Sequence, residues 1–182
     1  MKKFLKYFLI TICIFVVGCS NTTDQKSTNK SLLKNLNLKV LNMAGKKDAF
    51  KELEPDTIQP NDFYNGKFDS SKYNVISLDQ TTIDRFKKDN KTKLLFDKNF
   101  VYIVKNNTSN IKEMYNELQG IEANKQTSAA LTLYRVYDDE IKIIELKENE
   151  SSDTDSILFI LNQLYHTKSR AEFDEWYLSF LK

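Results

Sequence analysis

Glycine is scarce in this chain, and the scarcity limits how the chain can turn. After Gly18 only Gly45, Gly66 and Gly120 remain, none close to another. Phosphate-cradling loops and the tight strand-to-helix turns of dinucleotide-binding sheets need clustered glycines, because glycine alone takes positive φ freely and lets a backbone approach a ligand. Neither device is available here. Strand-like and helix-like stretches nevertheless interleave along residues 31–182. The expected class is α+β: an antiparallel sheet of about 4–6 strands covered by helices, with two helices at the C-terminus.

The first twenty residues have a different character. Lys2, Lys3 and Lys6 precede an uncharged stretch, 7–18. It is well short of the roughly 20 apolar residues a spanning helix needs, and its flanks suit the hydrophobic core of a secretory signal. Gly18 then sets a small residue before Cys19. Val16-Val17-Gly18-Cys19 resembles, position by position, the lipobox of bacterial lipoprotein precursors, a resemblance confined to residues 1–20. It implies a diacylglycerol on the Cys19 sulfur, cleavage before Cys19, and acylation of the new amino group. Two acyl chains hold a protein stably on a bilayer where one does not. The expected organisation is a signal at 1–18, lipidated Cys19 with a polar tether to 30, and one globular domain at 31–182 on the extracytoplasmic side of the cell membrane.

Charge follows from that processing. The chain has 27 Lys+Arg against 25 Asp+Glu, but loss of residues 1–18 removes three lysines and no acid, leaving 24 against 25. A near-neutral chain with interspersed signs has no basic face for nucleic acid. Of the two cysteines, Cys13 leaves with the signal and the Cys19 sulfur is occupied, so no intramolecular disulfide is available. Stability must come from a core, and about 150 residues are enough to bury one.

Along the domain, residues 31–45 read two ways. Leu32, Leu33, Leu36, Val40 and Met43 suit a helix face, while Leu36, Leu38 and Val40 alternate as a strand would. Residues 46–54 suit a short helix, and 54–66, with both prolines and the Asn65-Gly66 turn signal, is the longest irregular segment. A strand is expected at 73–78, then a capped helix at 81–90 with Ile83 and Phe86 inward. Residues 93–96 and 100–104 read as a hairpin around Asp97-Lys98-Asn99, and 130–137 with 141–147 as a second around Asp138-Asp139. Residues 110–119 carry Ile111, Met114, Tyr115 and Leu118 at helical spacing, with Asn110 and Glu113 to cap the start and Gly120 to end it. Residues 155–166 present Ile157, Ile160, Leu161, Leu164 and Tyr165 on one face. Ser169 and Glu172 form a capping box for a last helix bearing Phe173, Trp176, Tyr177, Phe180 and Leu181.

Motifs for chemistry are missing. The single histidine, His166, closes a predicted helix, where a cation suits the carbonyl ends, and no G-x-S-x-G elbow supplies a serine for it. One histidine and no free thiol cannot close a zinc site. Asp153-Thr154-Asp155 lacks the glycine and the distal acid of a calcium loop, and Asp138-Asp139-Glu140 suits a solvated hairpin tip. No enzyme activity, metal or cofactor is expected. The candidate binding surface is the acidic group Glu52, Glu54, Asp56 and Asp62 with the aromatic group Phe63, Tyr64 and Phe68 around the 65–66 turn, although those rings can equally fold back into the core. The expected function is a membrane-anchored extracytoplasmic binding or adaptor protein for a protein or peptide, similar in outline to immunity and exclusion lipoproteins. A small-solute or peptide capture lipoprotein and a carboxylate-based envelope hydrolase are the alternatives.

Overall fold

Strands β3 (Val75–Asp79) and β4 (Val101–Asn107) lie side by side in the middle of a six-stranded sheet. The computed structural model describes residues 37–44, 53, 55–120, 129–138, 140–147 and 154–180, all within the unit Leu36–Lys182. Outside β3 lie β1 (Val40–Asn42) and the short β2 (Asp56–Thr57); beyond β4 lie β5 (Ala129–Tyr137) and β6 (Glu140–Leu146). The helices are α1 (Pro60–Tyr64), α2 (Gln80–Lys88), α3 (Ile111–Leu118), α4 (Thr154–His166) and α5 (Arg170–Phe180).

The class is α+β, and two helices close the chain, as the sequence implies. The sheet, however, is mixed rather than antiparallel. β2, β1, β3 and β4 run parallel, and the β4–β5 and β5–β6 pairings are antiparallel. Residues 75–78 and 101–104 are all fully buried, so these strands are covered on both faces, which is the condition under which parallel pairing occurs. The crossover between β3 and β4 needs no glycine. Asp79 ends β3 and also caps α2, its carboxylate accepting from the Thr82 N–H and hydroxyl at 2.8 Å each. A strand passes straight into a helix.

Alternation along the strands divides the core. Leu41, Ile76, Leu78, Tyr102, Val104, Tyr134 and Val136 pack with Phe63 of α1, Ile83 and Phe86 of α2, and Ile111, Met114 and Tyr115 of α3. The opposite face carries Arg135 and Tyr137, both bonded to the end of α4. There α4 buries Ile157, Leu158, Ile160, Leu161 and Leu164.

Other expectations meet mixed outcomes. Ile83 and Phe86 are fully buried, and the Asn110 side chain accepts from the Glu113 N–H at 3.0 Å. β5 and β6 form the expected hairpin, with Tyr137 opposite Glu140. The Ser169 hydroxyl accepts from the Glu172 N–H at 3.3 Å, while the Glu172 carboxylate accepts from the Lys168 N–H at 2.7 Å, one residue before the position a reciprocal box predicts. Of the last helix's stripe, Phe173 is buried and Trp176 and Tyr177 are half-buried; the Phe180 side chain and Leu181 lie outside the described residues. Residues 93–96 are not a strand. They belong to a 3-10 turn, Thr92–Phe96, because both edges of β4 are already taken by β3 and β5. Residues 54–66 are not irregular throughout, since they hold β2 and α1. Pro60 starts α1, where a missing N–H costs nothing. Gly66, at φ +65°, ends it: its N–H donates to Phe63 O at 3.0 Å and that of Lys67 to Asp62 O at 2.9 Å, a Schellman closure. In 31–45 the strand reading holds at β1, whereas the helix expected at 46–54 falls almost entirely outside the described residues.

Candidate functional site

A cleft of about 690 Å³ opens at the end of the sheet where β4 begins and β5 finishes. One wall is the 3-10 turn, which contributes Lys93, Leu94 and Phe96, continued by Asp97, Lys98 and Phe100. A second wall is the C-terminal end of α3, with Tyr115, Leu118 and Gln119. Phe63, Phe68 and Ser70 close one side, and Val136 and Asp138 contribute from β5 and its turn.

The first wall is held from beneath. The Tyr134 hydroxyl donates to Leu95 O at 2.8 Å, and the Tyr102 hydroxyl donates to Leu94 O at 3.3 Å while accepting from the Asp97 N–H at 3.1 Å. A 3-10 turn has poorer internal hydrogen bonds than an α-helix, so these two tyrosines supply external partners for its backbone. Burial pushes both phenols' pKa values up. The Asp97 carboxylate accepts from the Asn99 N–H at 2.9 Å and side chain at 2.8 Å, fixing the turn into β4. Across the mouth, Lys98 and Asp138 pair at 3.6 Å, largely in solvent.

The residues singled out from the sequence are scattered by comparison. Glu52, Glu54, Asp139, Asp153 and the lipobox Val16, Val17, Gly18 and Cys19 lie outside the described residues. Asp56 accepts from the Tyr73 hydroxyl at 2.8 Å, a bond that raises the Tyr73 pKa. Asp62 pairs with Lys67 at 3.1 Å. Neither is gathered into an acidic site. Phe63, Tyr64 and Phe68 fold back as the plainer alternative expects: Phe63 is buried and stacks on Phe68 at 4.7 Å, and Tyr64 meets the Phe86 ring edge-on at 4.8 Å. Phe63 and Phe68 still present surface to the cleft. Glu140 is drawn into ion pairs with Lys142 at 3.3 Å and Arg170 at 2.8 Å, and both cations also meet Asp174. The bond from Lys142 holds the Asp174 carboxyl below its usual range. His166 is exposed at the end of α4, with its ring 5.1 Å from that of Tyr165.

Sequence reasoning missed Leu94, Phe96, Phe100, Tyr115, Leu118 and Val136 as cleft residues. No sequence signal marks them: Leu118 shares the helical spacing of buried Ile111, Met114 and Tyr115, and only the fold leaves it 43% exposed.

A second, polar depression of about 450 Å³ lies between α2 and α3. There Lys87 Nζ and Gln80 Nε2 donate to the Ser109 hydroxyl at 3.0 and 2.8 Å. Lys87 is solvent-exposed, unlike the desolvated lysine a serine–lysine pair needs. The Gln80 side chain also accepts from the Thr108 and Ser109 N–H groups. The cluster therefore stitches a loop to α2. Among the described residues no group of three His, Cys, Asp or Glu side chains is placed to hold a metal ion, and no helix is long and apolar enough to cross a membrane.

No family model, curated protein or solved structure matches this chain.

Proposed function

We propose that this chain is a lipid-anchored extracytoplasmic binding protein, held to the cell membrane through diacylglyceryl-Cys19 and acting as an adaptor without catalysing a reaction. The cleft at the start of β4 carries the binding reading. It is concave and lined by eight aromatic or aliphatic side chains and six polar or charged ones, with no histidine or cysteine among the described lining residues. Pockets of that make-up serve recognition. The anchor rests on Val16-Val17-Gly18-Cys19 behind Lys2, Lys3 and Lys6. The partner class is a protein or peptide at the outer face of the membrane.

The test is crosslinking in intact cells with the tagged chain, beside the same chain carrying Cys19→Ala. A discrete partner lost with Cys19→Ala supports an anchored adaptor. Equal recovery with both forms removes the anchor from the reading. A second reading, capture of a small solute, is favoured by the volume of the cleft, which lies within the range of about 300–1,000 Å³ usual for small-ligand sites. A thermal shift with a defined panel of solutes checks it.

A further inference from the structure

We infer that the cleft is a peptide site, and that its occupant is an uncharged, apolar segment of a partner protein with a large side chain to set among the rings. This inference rests on the binding reading above and adds the chemistry of the partner.

Four large hydrophobic side chains stand exposed among the described residues, and two of them, Leu94 and Leu118, line this cleft. Covering them removes apolar surface from water, which drives association. The rim then selects the occupant. Lys93 and Lys98 are matched by Asp97 and Asp138, so an anionic lipid headgroup or an acidic peptide meets as many acids as bases. Ser70 and Gln119 add uncharged donors and acceptors. A peptide backbone offers both an N–H and a C=O at nearly every residue and can use such a mixed rim, whereas an acyl chain offers neither. The walls are also set in advance: Tyr102 and Tyr134 pin the backbone that carries Leu94 and Phe96. A prepared site loses less entropy on binding.

The test uses the full lipidated chain in phosphatidylcholine nanodiscs. The probe is an N-acetylated, C-amidated peptide of alanine and leucine with one central benzophenone-bearing phenylalanine. Irradiation followed by peptide mapping should place the adduct on the 3-10 turn or the end of α3. Labelling should fall about tenfold, equivalent to about 1.4 kcal/mol, with Leu118→Glu, with Leu94→Glu, and with a probe carrying aspartate or lysine beside the benzophenone. Both leucines are exposed, and circular dichroism verifies that the variants fold. An adduct elsewhere, labelling indifferent to both variants, or displacement by phosphatidylglycerol vesicles but not by unlabelled peptide overturns the proposal. The in-cell crosslink separates this claim from the one beneath it. A partner kept by Leu118→Glu but lost with Cys19→Ala leaves the adaptor reading standing and sinks the peptide cleft. Site-specific labelling in nanodiscs with no partner in cells does the reverse.

Discussion

The rings of Tyr102 and Tyr134 lie parallel across the pairing of β4 and β5, with centroids 4.7 Å apart and planes within 5°. The two residues are direct register partners, both fully buried. Cross-strand aromatic pairs stabilise a sheet beyond the area they bury. Here the pair also passes that rigidity outward, because each hydroxyl ends on a carbonyl of the turn Thr92–Phe96.

Tyr134→Phe keeps the stack and removes the bond to Leu95 O. A buried carbonyl left without its donor costs about 1–3 kcal/mol. Urea unfolding should show a loss in that range with an unchanged slope. The first cleft wall should loosen, read as faster amide exchange over residues 92–97.

Alkaline pH should unfold the protein earlier than its composition suggests. Burial raises the Tyr134 and Tyr102 pKa values above those of the unfolded chain. The stability tied to these phenols is fully present below the unfolded value near 10. Above it the unfolded chain loses protons that the folded chain retains, so stability falls by up to about 1.4 kcal/mol per pH unit for each tyrosine. Denaturation midpoints should be flat in this respect near neutrality and drop above about pH 10. Tyr134→Phe should blunt the drop, and an equal slope in the variant would refute the assignment.

Arg135 closes α4 from the sheet. Its Nη1 donates to Leu164 O at 2.6 Å, Tyr165 O at 2.7 Å and Thr167 O at 2.8 Å, and its guanidinium lies 5.3 Å from the Tyr137 ring centre. Leu164 O and Tyr165 O lie in the last turn of α4, where no helical N–H follows, and Leu164 O also accepts from the Tyr137 and Thr167 hydroxyls at 3.4 and 3.2 Å. Arg135→Met should cost about 2–3 kcal/mol by thermal unfolding, and Arg135→Lys, with a single ammonium, should recover part of it.

Two helices end in the same closure with different residues. α1 ends on Gly66 at φ +65°, and α2 ends on Asn90 at φ +55°, with Asn90 N–H on Lys87 O at 3.1 Å and Lys91 N–H on Phe86 O at 2.8 Å. A Cβ on Gly66 would meet nothing within 4 Å, so Gly66→Ala isolates backbone strain and should cost about 1 kcal/mol. Gly66→Asn should cost less, and Asn90→Gly should be neutral or stabilising. Equal effects of alanine and asparagine at 66 would show that φ is not what matters there.

Asn90 also shows that a positive-φ turn does not need glycine here. Scarce glycine argued against tight turns and against a parallel sheet, yet Asn37, Asn90, Asn106 and Asp138 all take positive φ in this fold. Asparagine tolerates that region because its short side chain bonds locally. What the sequence does carry is burial: Val-Ile-Ser-Leu at 75–78 and Val-Tyr-Ile-Val at 101–104 are near-continuous apolar runs, the pattern of strands covered on both faces, with no mark of their direction. Residues 93–96 suit a strand by their apolar content, but such a preference says nothing about whether a partner edge is free, and both edges of β4 are taken.

What the sequence determined by itself is local. The spans of α2, α3, α4 and α5, the Asn110 and Ser169 caps, and the β5–β6 hairpin all follow from residues within a few positions of each other, where side-chain spacing and capping bonds act directly. What only the tertiary structure decided is non-local: the parallel pairing of β1, β3 and β4, the 3-10 turn held by Tyr102 and Tyr134, and the cleft between that turn and α3. Each depends on residues tens of positions apart becoming neighbours, and a strand or an apolar side chain carries no mark of which distant surface will cover it. Leu118 shows the difference: its helical spacing matches its buried neighbours, and only the packing of the wall opposite leaves it open.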